Sequence, residues 1–467
     1  MLHLHDTATG TVTPLERRDR GQASMYVCGP TVYDVPHLGH GRFALVFDVL
    51  RRYLLFSGLA VTYVSNITDI DDKIIARANT EGRSPAEVAA QYEQVWWDVM
   101  DALGVLRPTE APRATEWVAA MIDLVGQLLE RGVAYRGVDG VYLSVDAVDG
   151  YGLLARQSLD SLRAGARVDV GEDKRSPLDF ALWKQAKPGE PAWDAPFGAG
   201  RPGWHTECVA MSLGLLGDGF DLHGGGADLA FPHHENERAQ AVALGRPFAR
   251  HWTHNGWVMV EGEKMSKSLG NFTSLTDLLE RSDPRAYRLL VLRSHYRSPI
   301  EVTPVTVADA EKAVARLDAL VRRFSAPPPA AVVTAQATAA AGADPAAVAA
   351  FTAAMDDDLD TPSALAGIFE LVTRANSAED GGRHDEASTA ATTAVWLCGA
   401  LGLALRSGVA GGSGRADGLD PATAALVAER DAARAAKDFG RADAIRDQLT
   451  AVGWVVEDGP AGTTVRR

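Results

Sequence analysis

The sequence predicts an α/β fold: a parallel-sheet core carrying an insertion, then an α-helical bundle, then a small α+β module at the C-terminal end. Three observations predict this. Residues 23–28, 41–57 and 61–64 read strand, helix, strand within about forty residues, a βαβ unit and therefore a parallel pair. From about residue 305 the chain turns helical and Ala-rich. A length of 467 residues is too long for one small domain and suggests several units.

The elements follow in order. ASMYVC (23–28) is strand-like, and Gly29 and Pro30 turn the chain. Phe43, Val46, Phe47, Leu50 and Leu54 share one face of a helix over 41–57, with Gly58 where a C-terminal cap belongs. VTYV (61–64) is strand-like again. Residues 82–200 read as helices followed by an irregular insertion, and 186–203, rich in Gly and Pro, as loop. The sheet resumes around 215–260 with strand, Gly-rich turn and helix. Residues 327–350 are low-complexity, part flexible connection and part weak helix, and 408–418 is a Gly-rich linker. Two short helices follow, then a hairpin of Trp454–Glu457 and Thr463–Arg466 around DGPAG. The expected division is 1–300 with an insertion at about 116–200, a bundle over 301–407, a linker over 408–418 and a module over 419–467.

Composition narrows the class. Hydrophobic residues make up 46% and charged residues 23%, as in a soluble globular protein. No apolar run approaches the ~18–20 residues that span a membrane. The first residues, MLHLHDTATG, lack the basic and apolar stretches of a secretory signal, so a cytoplasmic protein is expected. Cys28, Cys208 and Cys398 are few, odd in number and far apart, which disfavours a disulfide framework. Cys398 lies in the apolar run AVWLCGALGLAL and is expected as core. The formal net charge of −15 argues against sequence-blind nucleic-acid binding; local basic patches could still dock a shaped RNA.

Two motifs bear on phosphate. PTVYDVPHLGH (30–40) runs from the turn after the first strand into a helix. It places His37, Gly39 and His40 at a helix N-terminus, where backbone N–H groups and the positive helix end favour anions. EGEKMSKSLGN (261–271) puts Lys264 and Lys267 three apart on a loop of small residues. Such a loop can close two ammonium groups over a triphosphate. Either string alone would also suit a surface loop. Together they resemble the paired motifs of class I aminoacyl-tRNA synthetases, whose Rossmann-type core makes an aminoacyl-adenylate. The resemblance implies that His37 and His40 stabilise the ATP phosphates, and that Lys267, with Lys264 assisting, meets the departing pyrophosphate. It makes ATP-Mg2+ a substrate.

A metal site is the second theme. Cys28 ends the first strand, Cys208 lies in GRPGWHTECVAM, and His233 and Glu237 are i and i+4 in DLHGGGADLAFPHHENERAQ. On a helix the last two share a face. Two thiolates, an imidazole and a carboxylate suit a tetrahedral zinc shell. The residues taken singly would also suit core cysteines and a surface His–Glu pair. His234 points elsewhere on such a helix and reads as structural.

MYVCGPTVYD, NITDIDDKIIARA, DFALWK, KPGEP, GRPGWHTEC, HGGGADLAFPHHENE and HYRSPIEVT resemble cysteinyl-tRNA synthetases. The likeness runs from about residue 20 to the C-terminus and is weakest across 327–350 and 375–420. It implies one Zn2+ on Cys28, Cys208, His233 and Glu237, with the substrate sulfur on the metal. Zinc prefers thiolate, so serine is rejected and no editing site is needed. The likeness places Thr31, Asn66, Thr68, Trp204, Gly226, Asp228 and Val260 around cysteine and the adenylate. Glycines 224–226 would admit adenine or ribose, or form a plain tight turn. His40–Gly41–Arg42 stands where Asn–Ala–Arg often follows the motif, which restores the general class I pattern. The implied reaction joins L-cysteine to tRNA(Cys) through cysteinyl-adenylate and releases AMP and diphosphate. The implied partners are L-cysteine, ATP and tRNA(Cys), with no membrane, and the chain is expected as a monomer.

Toward the tRNA end, Arg285, Arg288, Arg293 and Arg297 form an expected RNA-backbone patch. The run Asp356–Asp358 would repel phosphate and reads as structural or capping. The tail carries Arg430, Arg434, Lys437, Arg441, Arg446, Arg466 and Arg467 and resembles the family's C-terminal module; balancing acids there also suit a solvated helix face. Two rivals share the motifs. A paralogous ligase that couples cysteine to an aminosugar–inositol has no need of that C-terminal module. A non-catalytic RNA-binding derivative would not need His37, His40, Lys264 and Lys267.

Overall fold

The computed structural model describes residues 1–159, 161–162, 174–260, 263–264, 274–327, 329–407, 421–436, 438–451, 454–459 and 462–466. Its central sheet contains strands β1 (Gln22–Val27), β2 (Ala60–Ser65), β3 (Leu222–Gly226) and β4 (His251–Asn255). They lie in the order β4-β3-β1-β2, and every neighbouring pair is parallel. Helix α1 (Leu38–Phe56) joins β1 to β2; α2 (Trp204–Leu216) precedes β3, and α3 (Glu235–Ala243) leads to β4. The chain steps from β1 to one side and returns to pair β3 on the other. This reversal opens a crevice at the carboxyl ends of β1 and β3, where α/β sheets bind ligands.

Helix α1 starts at Leu38, three residues earlier than the apolar face predicts, because His37 caps it. The helix lies between two layers. One apolar cluster joins α1 to the sheet and to the helices Pro304–Phe324, Pro345–Asp356, Thr361–Asp380 and His384–Ala400. The Phe56 and Phe351 rings meet edge-on at 5.5 Å across this interface. Cys398 is buried in the same cluster, as expected. A second cluster holds α2, α3 and the insertion.

The insertion is more regular than its sequence predicts. Helix Val118–Glu130 precedes an antiparallel sheet of Ala134–Arg136, Gly140–Leu143, Phe180–Gln185 and Gly200–Pro202. DFALWK thus supplies a strand, anchored by the fully buried Trp183, whose indole N–H donates to the Gly198 carbonyl at 3.1 Å. Strands of three to six residues carry too little alternation to read. Across 327–350, helices Ala335–Ala340 and Pro345–Asp356 form, the second of them preceded by Asp344 as its cap.

An N-terminal hairpin, His3–Asp6 with Thr11–Pro14, stitches the sheet to the bundle. Asp6 accepts from the Trp252 N–H at 3.0 Å, while the Asp358 N–H donates to the His3 carbonyl and Asp358 Oδ1 accepts from the His5 N–H at 2.8 Å. Asp356 accepts from Tyr53 at 2.8 Å, so the acidic run is structural, as expected. The expected arginine patch is not one surface. Arg288 is buried on Asp48, Arg285 is paired with Asp283 and Asp318, and Arg297 is paired with Asp358; Arg293 is exposed. Burial of Arg288 needs a paired carboxylate, and Asp48, distant in sequence, supplies it; Asp318 and Asp358, also distant, pair with Arg285 and Arg297.

At the C-terminal end, Pro421–Ala435 and Phe439–Ala451 pack on the hairpin Val455–Gly459 and Gly462–Arg466, around Val427, Ile445, Leu449 and Val465. Among the described residues, no helix is long and apolar enough to cross a membrane.

Candidate functional site

Cys28 follows β1 directly, and its N–H donates to the Gly224 carbonyl at 3.2 Å, which fixes it at the crevice. Helix α2 brings Cys208 opposite it, with Sγ–Sγ 3.6 Å. A short turn, Ala230–His234, and α3 bring His233 and Glu237 over the pair. His233 Nε2 lies 3.7 Å from the Cys208 sulfur and 3.0 Å from Glu237 Oε1, and Cys28 lies 3.4 Å from the same Oε1. All four residues are at most 4% exposed, and their donor atoms lie within 4.8 Å of one another. The structure therefore unites the four sequence-predicted ligands.

Protonation within the cluster is uneven. Burial pushes both thiols up, but hydrogen bonds from Cys28 and His233 bring Cys208 down to about 6, whereas Cys28 stays well above the ordinary thiol range. Burial opposes a charge on His233, yet Glu237 and Cys208 beside it hold the imidazole up at about 10. Burial also opposes ionisation of Glu237, but His223 and His233 keep it well below the usual carboxylate range. A positive charge is thus held between a thiolate and a carboxylate, the electrostatic place of a cation. Soft sulfur, imidazole and one carboxylate oxygen fit zinc.

Residues that the sequence did not reveal orient this set. His223 contacts Glu237 Oε2 at 2.7 Å and leaves Oε1 toward the sulfurs. His205 Nδ1 meets His233 Nδ1 at 2.8 Å. Burial, then the charge on His233, keep His205 neutral, so His233 is the donor and its Nε2 is the nitrogen turned to the cluster. Glu207, fully buried, has its carboxyl pushed well up by burial and by Cys208. His234, expected as structural, contacts His254 at 2.8 Å, and with Cys28, His223 and Glu237 it forms a second group whose donor atoms lie within 4.8 Å of one another.

The expected pocket residues fall into two groups. Asn66 and Thr68 are buried beneath the cluster. Asn66 Oδ1 accepts from the Gly29 N–H at 2.9 Å; Thr68 donates to Glu207 at 2.9 Å and pairs in backbone register with Thr31. Trp204 and Asp228 are exposed at the rim, and the Trp204 ring stacks on His233 at 3.9 Å. Gly224 and Gly225 are not a turn open to nucleotide: they lie within β3, and a Cβ there would meet the Phe47 ring at 2.2 Å and His234 at 2.9 Å. Only Gly226 reaches the strand end, beneath the Asp228 carboxylate.

The histidine loop has a reciprocal cap. The His37 N–H donates to His40 Nδ1 at 3.2 Å, the His40 N–H donates to His37 Nδ1 at 3.3 Å, and the rings stack at 3.7 Å. With Nδ1 accepting on each ring, Nε2 carries the proton and is a donor. Lys264 lies on strand Glu263–Lys264, paired with Val258–Val260, which includes the expected Val260; Lys267 is outside the described residues. Ser274, next in the described chain, pairs with His37, and the Leu275 N–H donates to the Pro36 carbonyl at 2.9 Å. Among the described residues, Ser274 and Leu275 thus join the histidine loop directly.

Comparison with known proteins gives this geometry a family. Residues 14–312 match the model of the class I (C) tRNA synthetase catalytic domain, 350–406 a DALR domain, and 416–466 a cysteinyl-tRNA ligase anticodon binding domain. A cysteine–tRNA ligase of Alkalilimnicola ehrlichii is 48% identical over 479 residues, covering 100% of both chains. The chain belongs to the cysteinyl-tRNA synthetase family. A second family member, from Rhodospirillum rubrum, is 45% identical over 481 residues, covering 100% of this chain and 99% of its own. Cysteinyl-tRNA synthetases are class I, and distant class I structures share the fold. Mycobacterium tuberculosis methionyl-tRNA synthetase, in complex with methionyl-adenylate, has a TM-score of 0.56 at 17% identity, covering 81% of this chain and 90% of its own. The LeuRS–tRNA–LeuAMS complex of Agrobacterium radiobacter reaches 0.59 at 12% identity, covering 84% of each chain.

Proposed function

We propose that this chain joins L-cysteine to tRNA(Cys) in two steps. The cysteine carboxylate attacks the α-phosphate of ATP-Mg2+, giving cysteinyl-adenylate and diphosphate. The terminal ribose hydroxyl of the tRNA then attacks the activated carbonyl and releases AMP. The observation that carries the reading is the buried Cys28–Cys208–His233–Glu237 cluster at the same strand ends as the capped histidine pair.

Zinc bound there would supply a soft, Lewis-acidic partner for a thiolate and none comparable for a hydroxyl. Cys28, Cys208, His233 and Glu237 would hold it, with His205 and His223 fixing the ring and the carboxylate. Trp204 walls the cysteine site, and Asp228 holds an ammonium or a ribose hydroxyl. Thr31, Asn66, Thr68, Gly226 and Val260 complete the floor. The Nε2–H groups of His37 and His40 donate to phosphate oxygens as charge builds, and Lys264 and Lys267 neutralise the departing diphosphate. No side chain is needed as a general base; positioning and charge stabilisation suffice.

The bundle over 301–407 and the module over 419–467, joined to each other by the linker 408–418, are the RNA-binding half of this reading and follow a catalytic unit over 1–300. We place the enzyme in the cytoplasm as a monomer. The test is transfer of labelled cysteine by purified protein with ATP-Mg2+ and total tRNA, beside a tube holding an aminosugar–inositol acceptor. Label on tRNA is expected. Label on the sugar alone would overturn the acceptor while leaving the metal and adenylate chemistry in place.

A further inference from the structure

The second half of α1 contains a buried charge hub that the reaction does not use. Asp48 is 1% exposed and ends in two guanidinium groups. Arg52 Nε donates to its Oδ2 at 2.8 Å and Arg288 Nη1 to the same oxygen at 2.6 Å; the Leu106 N–H donates to Oδ1 at 2.9 Å. Burial alone would raise the Asp48 carboxyl, but Arg288 and Arg52 hold it below the usual carboxylate range.

The guanidinium groups then reach outward to main-chain carbonyls on two sides. On the catalytic side, Arg52 donates to the Gly104 carbonyl at 2.9 Å and Arg288 to that of Leu103 at 3.0 Å. On the bundle side, Arg52 donates to the Ala331 carbonyl at 2.6 Å and Arg288 to that of Leu401 at 3.2 Å. Leu103 and Leu401 cap the C-terminal ends of helices Pro85–Ala102 and His384–Ala400, where carbonyls lack helical partners and favour cations. One residue on, Tyr53 donates to Asp356 at 2.8 Å. Asp48, Arg52 and Tyr53, within two turns of α1, therefore key the bundle to the helix whose first residues follow the His37 cap.

We propose that Arg52, with Asp48, Arg288 and Tyr53, sets the position of the RNA-binding half relative to the active site. These are positioning residues: none reaches the zinc cluster or the phosphate motifs. A tRNA held by the C-terminal module must present its far end at the crevice, so the angle between bundle and α1 decides whether both ends engage together. The hub fixes that angle through directional, charge-assisted bonds to carbonyls of both units. The inference rests on the proposed function and goes beyond it by assigning residues remote from the site.

The experiment compares three readings in wild type, Arg52→Met and Tyr53→Phe: cysteine-dependent ATP–diphosphate exchange, charging of full-length tRNA, and charging of a minihelix holding only the acceptor arm. Arg52→Met keeps the aliphatic stem and leaves Asp48 paired with Arg288. It is expected to lower kcat/KM for full-length tRNA by about tenfold, chiefly through KM, with minihelix charging, exchange and metal content unchanged. Tyr53→Phe, which removes one hydroxyl, is expected to act in the same direction and less. Equal losses on tRNA and minihelix, or no loss in either variant, would overturn the proposal. Should Arg52→Met fail to fold, Tyr53→Phe decides alone by the same criteria. Wild-type protein that charges no tRNA would instead remove the functional reading on which the inference rests.

Discussion

Cys208 shows how far a side chain's chemistry depends on its neighbours. Buried alone, its thiol would hold its proton; beside Cys28 and a charged His233 it titrates at about 6 and stands ready as a donor. Cys208→Ala is expected to weaken metal binding at least about 100-fold, read as metal per chain after dialysis. Full retention of one ion would take Cys208 out of the ligand set. The four proposed ligands were legible only by likeness to a family, because residues 28, 208, 233 and 237 span most of the proposed catalytic unit and no spacing rule joins them. His205, Glu207 and His223 were not legible at all. His205 and Glu207 precede Cys208 in WHTEC, and His223 opens the glycine run, but a buried histidine that orients its neighbour has the same sequence signature as one that merely fills space. The arginines misled for the converse reason: a cationic run looks solvated until its distant carboxylates are located.

Helix α1 is the element where sequence and structure agree best. Its apolar face and its Gly58 stop were readable, since each depends on residues within a few turns; the reciprocal histidine cap that starts the helix at Leu38 was not. The insertion sheet depends on pairings across tens of residues, and its short strands left no periodic trace. The glycines at 224 and 225 were read as turn because composition cannot tell a turn from a strand pressed against bulky rings. Gly41, on the first turn of α1, has a testable role of this kind. A Cβ there would meet Leu275 at 2.6 Å and Tyr287 at 2.9 Å, at the seam where Ser274 and Leu275 pair with the histidine loop. Gly41→Ala is expected to cost about 1–3 kcal/mol of stability through overpacking and to raise the KM for ATP in the exchange assay. An unchanged ATP dependence would mean that Leu275 gives way without moving the segment that follows the lysines.

At the scale of the molecule, the cores do not follow the proposed division of labour. Among the described residues, the C-terminal module packs around Val427, Ile445, Leu449 and Val465, a cluster of its own, whereas the bundle shares one continuous core with the sheet. A chain ending at residue 407 is therefore expected to fold, to keep its metal and to sustain ATP–diphosphate exchange, while charging of full-length tRNA falls by about tenfold or more. Loss of exchange in that truncation would show that the module supports the catalytic unit directly. The net charge of −15 suggested no RNA partner, and this is where bulk composition misleads most: a folded RNA meets a local surface and not a sum over the chain. The N-terminal hairpin adds a constraint in time. His5 is bonded to Asp358, 353 residues further on. At roughly 5–20 residues per second, synthesis takes about 20–70 s to deliver that partner. These two strands are among the last to be locked, and the ribosome will have completed Cys28, Cys208, His233 and Glu237 and both the histidine and lysine motifs before the hairpin can bond to Asp358.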